Sequence, residues 1–225
     1  MNKILERFYC FGDSISFGQH ITLHKTWTSK LSQKLDEEIL DREIIFSNPS
    51  VNGNTTKMAL DRLQFDVLNH KPNHVLIQFG LNDCNYWEDS FGLPRTKKND
   101  FFKNICNIIK QVSLIKVSNI FLCTIHPTNK GIIKIGEREI PYDKIQKEYS
   151  SIIKDIYFKF KNEYPLTLLD LQQYFESNKE FTKNNIHLLD DGINLSYYGH
   201  KLYSNYVIPN VIQVLKDENT FTRTK

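Results

Sequence analysis

The chain has 225 residues, of which 40% are hydrophobic and 24% are charged, and its formal net charge at pH 7 is +3. This length suits one globular domain with a buried core, and the weak charge excess gives no indication of nucleic acid as a partner. No stretch of about 18 or more uninterrupted apolar residues occurs, so no membrane-spanning helix is predicted.

Predicted strands and helices alternate along the chain. Short apolar runs predict five strands, at 7–14, 43–48, 74–80, 119–125 and 166–171. Apolar residues at helical spacing predict five helices, at 26–40, 55–70, 101–115, 142–160 and 196–215. Because a helix separates successive strands, the connections are crossovers and the sheet should be parallel. We predict an α/β fold with helices on both faces of the sheet, with residues 1–216 as one domain and 217–225 as a frayed tail.

The cellular location is predicted from the N-terminus and the cysteines. We find no apolar signal segment ahead of the first predicted strand. Cys10 and Cys123 lie within apolar runs, and neither these nor Cys84 and Cys106 form a C-x-x-C pair. We therefore predict reduced cysteines, a cytoplasmic protein, and neither a metal site nor a cofactor.

Polar residues follow three successive predicted strands, at the sheet edge where open parallel sheets bind ligands. Ser14 follows the first strand, Gly53 the second and Asn82 the third. Taken singly, these residues are typical of a helix cap or a turn. Together they provide a hydroxyl nucleophile and N–H donors for an oxyanion, which are the groups that acyl transfer requires.

Four blocks of the sequence resemble those of the SGNH hydrolases, the GDSL-type esterase/lipase superfamily. They are FGDSISFG (11–18), VNGNTT (51–56), GLND (80–83) and DGINLSYYGH (191–200), and they occur in family order. The resemblance covers most of the chain, from residue 7 to residue 215. It implies a flavodoxin-like, three-layer α/β/α sandwich around a five-stranded parallel sheet, in agreement with the order of elements.

The resemblance also implies a role for each matching residue. Ser14 is the expected nucleophile, and the expected oxyanion hole consists of the N–H groups of Ser14 and Gly53 and the side chain of Asn82. Asp191 is the expected acid of the catalytic triad, whereas the family's catalytic histidine falls on Asn194. A neutral carboxamide cannot accept the serine proton, so the frame lacks its general base.

Four interpretations of Asn194 remain open. It replaces a natural histidine in an engineered chain, or it is a natural loss that leaves a binder of esters or acylated carbohydrates. Alternatively, another histidine is the base, with His126 after the fourth strand as the best candidate and His187 as the second. In the fourth interpretation, the resemblance does not extend to function.

We predict an ester or O-acetyl hydrolase scaffold that is impaired at the base position. The expected partner is a small-molecule or carbohydrate ester, with no nucleic acid and no membrane span, and the oligomeric state is left open. Residues 84–100 are a candidate wall of the substrate pocket, with loop packing as the alternative, and residues 127–144 are a candidate lid or partner contact.

Overall fold

The computed structural model describes residues 4–86, 92–179, 181 and 185–222. Its strands are β1 (Ile4–Gly12), β2 (Arg42–Ser47), β3 (His74–Gln78), β4 (Asn119–Cys123), β5 (Ile132–Ile135), β6 (Arg138–Pro141) and β7 (Leu166–Leu169). A central sheet has the spatial order β2-β1-β3-β4-β7, and every neighbouring pair in it is parallel. The predicted five-stranded parallel sheet is confirmed.

Helices pack on this sheet in two groups. They are α1 (Ser14–Phe17), α2 (Trp27–Glu38), α3 (Thr56–Asp66), α4 (Lys98–Leu114), α5 (Tyr142–Phe160), α6 (Leu171–Ser177) and α7 (Tyr197–Thr222). Helix α2 packs against α7, whereas α4 contacts both α3 and α5. With the sheet between them, these groups form the α/β/α sandwich that the element order predicts.

The interior is continuous and rich in aromatic side chains. Every residue of β3 and β4 is buried, as expected for central strands covered on both faces. Phe8 of β1 stacks between Phe46 and Phe121, with ring centroids 5.9 and 5.7 Å apart. Trp27 of α2 stacks on Tyr203 of α7 at 4.7 Å and so joins these two helices. Full burial of one such side chain contributes about 1.5–3 kcal/mol.

Three segments differ from the prediction. The short helix α6 follows β7 directly, because the side chain of Asp170 caps it by accepting from the N–H of Gln173 at 3.2 Å. Residues 127–144 contain the antiparallel hairpin β5–β6, whose turn includes Gly136 at a φ of 58°. Helix α7 extends to Thr222, into the segment assigned to the tail. Fraying of that segment stays a prediction.

Two further findings concern the predicted location. Within the described residues, no helix combines the length and apolar content needed to cross a bilayer. Cys10, Cys84 and Cys123 are free and buried, and Cys106 is free and partly buried.

Candidate active site

Ser14 lies at the turn between β1 and α1, at the carboxyl edge of the sheet. The preceding residue, Asp13, caps α1 by accepting from the N–H of Ile15 at 3.0 Å. The turn is tight, since a Cβ on Gly12 would lie 2.9 Å from the backbone oxygen of Gln78. Ser14 itself is 8% exposed, so its hydroxyl lies at the margin of the core.

Hydrogen bonds connect the two other predicted oxyanion donors. Asn82 Nδ2 donates to Asp13 Oδ2 at 3.3 Å, beside the serine turn. Arg95 Nη1 donates to the backbone oxygen of Gly53 at 3.1 Å and to Asn82 Oδ1 at 3.4 Å. Gly53 has a φ of +75°, a backbone conformation that glycine adopts without strain. The loops after β1, β2 and β3 therefore meet, and the catalytic roles of Ser14, Gly53 and Asn82 stay predictions.

Asp83 anchors the loop that carries Asn82. Its Oδ1 accepts from the backbone N–H and the hydroxyl of Thr56, at 3.0 and 2.6 Å, at the start of α3. Its backbone oxygen accepts from the N–H of Thr96 at 3.0 Å. Asp83 is fully buried, and this burial raises the pKa of its carboxyl group although the Thr56 hydrogen bonds act in the opposite direction.

Arg62, which the sequence analysis did not identify, connects the end of β1 with the loop that follows β2. Its Nη2 donates to the oxygen of Gly12 at 3.1 Å, and its Nε donates to Asn54 Oδ1 at 2.7 Å. Its Nη1 bonds the oxygen of Pro49 at 2.5 Å and pairs with Asp66 at 2.7 Å. No motif identifies such a residue, because its contacts with the backbone oxygens of Gly12 and Pro49 span 50 and 13 residues.

Asp191 and Asn194 form a hydrogen-bonded pair in the loop before α7. Asp191 Oδ2 accepts from Asn194 Nδ2 at 2.6 Å, and Asp191 Oδ1 accepts from the N–H groups of Ile193 and Asn194, both at 2.8 Å. Burial alone would raise the pKa of Asp191. The hydrogen bonds from Asn194 and Ile193, together with the charge of Lys130, outweigh burial and lower it.

This loop is anchored next to the end of β4. The backbone oxygen of Gly192 accepts from the N–H of Asn129 at 3.1 Å, and the oxygen of Asn194 accepts from the N–H of Leu189 at 2.8 Å. Gly192 has a φ of +70°, and a Cβ there would lie 2.4 Å from Asn129 Oδ1. Asn194 is 9% exposed, and among the described residues no donor reaches its buried Oδ1. The asparagine thus provides an acceptor beside Asp191, but no base.

His126 lies at the predicted edge, three residues beyond β4, but it is buried. Its Nε2 is 2.9 Å from the backbone oxygen of Ile193, and its ring packs against Phe175 and Tyr203 at centroid distances of 5.7 and 6.5 Å. Burial lowers its pKa to about 4, against opposing effects of the Ile193 hydrogen bond and the charge of Asp191. His126 is therefore a neutral ring held under the Asp191 loop.

The other nearby histidines are also packed. His200 Nδ1 accepts from the N–H of Trp27 at 3.1 Å, at the start of α2. Burial, followed by the charge of Lys30, lowers the His200 pKa to about 3. His187 is 3% exposed, and its ring lies 5.7 Å from that of Phe181.

The structure describes residues 84–86 and 92–100 of the candidate pocket wall. Tyr86 pairs with Pro94 in an antiparallel bridge, and the N–H of Arg95 donates to the oxygen of Asn85 at 2.9 Å. Arg95, next to this pairing, lies against the Gly53 and Asn82 loops. Residues 87–91 of the predicted wall at 84–100 lie outside the described residues.

Comparison with known proteins identifies the class to which this fold and site belong. A family model described as GDSL-like Lipase/Acylhydrolase matches residues 8–207, so the chain belongs to this family. An arylesterase of Vibrio mimicus is 31% identical over 167 residues, which are 73% of this chain and 70% of that protein. An uncharacterized lipoprotein of Bacillus subtilis (strain 168), YqeF, is 29% identical over 107 residues, 45% of this chain and 43% of that protein.

Solved structures show the same fold over nearly the whole chain. A lipase/acylhydrolase from Enterococcus faecalis has a TM-score of 0.70 at 22% identity, covering 92% of this chain and 96% of that one. The acetyl xylan esterase AlAXEase has a TM-score of 0.72 at 21% identity, with coverages of 91% and 99%. Axe2, an acetylxylan esterase from Geobacillus stearothermophilus, has a TM-score of 0.73 at 18% identity, with coverages of 93% and 95%. The predicted flavodoxin-like sandwich and membership of the SGNH superfamily are confirmed.

Proposed function

We propose that this esterase-family chain contains a serine acylhydrolase site whose general base has been replaced by Asn194. In this proposal Ser14 is the nucleophile. The N–H groups of Ser14 and Gly53 and the side-chain amide of Asn82 stabilise the oxyanion, and Asp191 is the acid of the former triad. The hydrogen bonds that connect the Ser14, Gly53 and Asn82 loops support this assignment.

The chemistry shows what the substitution removes. Ser14 Oγ attacks the ester carbonyl, a bond to the acyl carbon forms, and the serine proton must pass to a base and then to the leaving alcohol. Water then hydrolyses the acyl-enzyme by the same proton transfers in reverse. An amide nitrogen cannot carry that proton, so both half-reactions lose general acid–base catalysis. In subtilisin, loss of the base costs about 10⁶-fold in turnover.

The Asp191–Asn194 hydrogen bond of 2.6 Å is the observation that carries this proposal. In a serine triad the acid accepts a hydrogen bond from the base and thereby orients it. Here Asn194 Nδ2 donates the corresponding hydrogen bond, while Oδ1 takes the place of the atom that would accept the serine proton. In this proposal the acid and its orienting hydrogen bond are retained, and the proton acceptor differs.

A short-chain ester or an O-acetylated carbohydrate is the proposed substrate class. The relatives named above include an arylesterase and two acetyl xylan esterases. The names of these relatives indicate aryl esters and acetyl esters of xylan. Location in the cytoplasm stays a prediction, and one relative is named a lipoprotein.

The test is to restore the base. We expect Asn194→His to hydrolyse p-nitrophenyl acetate about 10²- to 10⁴-fold faster than the unmodified chain, the usual contribution of general acid–base catalysis. The gain should disappear when Ser14→Ala is added, and a fluorophosphonate probe should label Asn194→His at Ser14. Asn205→His is the matched control, because it adds a histidine at an exposed position of α7.

The same experiment distinguishes the alternatives. If Asn194→His neither turns over ester nor reacts with the probe, the esterase proposal is wrong and a non-catalytic binder of acylated ligands remains. If the unmodified chain is already as active, a different histidine is the base, and His126→Gln or His187→Gln should abolish that activity. Sequencing codon 194 of the source gene separates an engineered asparagine from a natural one.

The pH dependence of activity shows whether His126 is the base. Because burial lowers its pKa to about 4, His126 is neutral above that pH. Activity that uses His126 as base would therefore persist down to about pH 4–5. Activity restored by Asn194→His should instead fall below about pH 6.5, where an ordinary imidazole becomes protonated.

A further inference from the structure

The side chain of Arg95 hydrogen-bonds two residues of the candidate site that lie in different loops. Its Nη1 donates both to the backbone oxygen of Gly53 and to Asn82 Oδ1. These two residues come from loops that follow different strands, and both are proposed oxyanion donors. We infer that Arg95 is a positioning residue that holds the Gly53 and Asn82 donors of the oxyanion hole in register. This inference rests on the proposed function of the site.

The arginine determines the orientation of the Asn82 amide. A guanidinium donates hydrogen bonds and accepts none, so it must face the amide oxygen and not the amide nitrogen. Asn82 Nδ2 is thereby directed to the other side, where one of its hydrogens bonds Asp13 Oδ2 at 3.3 Å. The second Nδ2 hydrogen is then the one available for the ester oxyanion. A reversed amide would present an oxygen there and repel the developing negative charge.

The arginine acts on Gly53 through the backbone. Glycine has no side chain to restrict its backbone, so an external restraint helps to hold Gly53 at its φ of +75°. The hydrogen bond from Arg95 to the Gly53 oxygen supplies one. Preorganised donors of this kind are effective because they need not reorient as charge develops.

The main chain keeps Arg95 in place. The N–H of Arg95 donates to the oxygen of Asn85, and the next N–H, of Thr96, donates to the oxygen of Asp83. Tyr149 fixes the same segment through a hydrogen bond from its hydroxyl to the Thr96 oxygen at 2.5 Å. Burial lowers the pKa of Arg95 below its usual range, an effect that the nearby Asp83 carboxylate opposes, and the group remains a cation at neutral pH.

Two measurements test this role, and the first needs no catalytic activity. In NMR spectra of the unmodified chain, Arg95→Ala should shift the Asn82 side-chain amide resonances and increase their mobility. Added guanidinium ion should return them toward their original positions by occupying the vacated space. The control, Lys110→Ala, removes a cation at an exposed position of α4 and should leave the Asn82 signals unchanged. Coincident Asn82 signals before and after Arg95→Ala would overturn the inference.

The second measurement uses the Asn194→His background. There, Arg95→Ala should lower kcat for p-nitrophenyl acetate about 10- to 100-fold, somewhat less than the 10²- to 10³-fold loss for a deleted oxyanion donor. KM should stay within a factor of about three, since the effect belongs to the transition state. Guanidinium should restore part of kcat in Arg95→Ala, whereas kcat of Lys110→Ala should be unchanged with or without guanidinium. A rise in KM alone, or an unchanged kcat, would show that Arg95 only lines the pocket.

The NMR and the kinetic measurements test the role of Arg95 and the esterase proposal separately. An inactive Asn194→His chain refutes the esterase proposal, and the NMR measurement still decides whether Arg95 orients Asn82. Conversely, an active Asn194→His chain with unaltered kcat in Arg95→Ala supports the esterase and refutes the positioning role.

Discussion

At the scale of single residues, two buried carboxyl groups support the candidate site. Asp13 and Asp83 are both fully buried, and each accepts hydrogen bonds that hold a strand-end loop in place. Burial raises the pKa of Asp13 to about 7, with a smaller contribution in the same direction from the charge of Asp83, while hydrogen bonds from Ile15 and Asn82 act against it. Ionisation of Asp13 is therefore coupled to stability near neutral pH.

Replacing Asp13 should remove a pH dependence of folding. An unfolded aspartate ionises near pH 3.9, so between about pH 4 and pH 7 the folded state retains a proton that the unfolded state has lost. The associated stability is fully present below about pH 4 and is lost as the pH rises to about 7, amounting to at most about 4 kcal/mol. Asp13→Asn should not show this decline.

Urea unfolding of both chains from pH 4 to pH 8.5 measures the effect. The difference in unfolding free energy should move in favour of Asp13→Asn as the pH rises and level off above about pH 7.5. A constant offset from the altered Asn82 contact is expected at every pH. Parallel stability curves for the two chains would rule out an Asp13 that is protonated at neutral pH.

At the scale of elements, the loop before α7 depends on one close approach. Gly199 lies in the first turn of α7, and a Cβ there would be 2.0 Å from the backbone oxygen of His187 and 3.1 Å from Leu195 Cδ2. The helix thus packs directly against the segment that leads into the Asp191 turn. The chain needs glycine at position 199 because the backbone oxygen of His187 lies where a side chain would be.

Gly199→Ala should destabilise the protein, although alanine is the better helix former by about 1 kcal/mol. Overpacking against a backbone atom typically costs about 1–3 kcal/mol and should outweigh the gain in propensity. Thermal unfolding provides the measurement, with Asn205→Ala on the exposed side of α7 as the control. If Gly199→Ala proves as stable as the control, the His187 segment moves away without cost and the close approach is not limiting.

At the scale of the whole molecule, stability is unevenly distributed. Strands β3 and β4 lie in the middle of the sheet and are buried along their whole length. Hairpin β5–β6 stands apart as a sheet of two strands, with most of its residues exposed or half-buried. Isolated two-stranded sheets are marginally stable in water, so this hairpin should open far more readily than the central sheet.

Hydrogen exchange measured by mass spectrometry should show this order. Peptides covering 74–78 and 119–123 should exchange only through global unfolding, whereas peptides covering 132–141 should exchange through local opening at much lower free energy. Mild denaturant should accelerate the central peptides and leave the hairpin peptides nearly unchanged. Protection of the hairpin as strong as that of β3 would indicate a contact that covers it, such as the partner considered for residues 127–144.

Local sequence patterns predicted the five strands of the central sheet, their parallel arrangement, and the placement of Ser14, Gly53 and Asn82 after successive strands. These features depend on local periodicity and on the rule that parallel strands end at one edge. The asparagine at position 194, where the family motif has histidine, was equally visible, since it depends on residue type within a motif.

Which side chains meet could be seen only in the folded chain. Arg95 contacts Gly53, Asn82 contacts Asp13, and His126 binds the oxygen of Ile193, across separations of 42, 69 and 67 residues. Such contacts follow from the packing of distant loops, which no local pattern encodes. Burial likewise decided the protonation of Asp13 and His126, because the energy of a charge depends on everything packed around it.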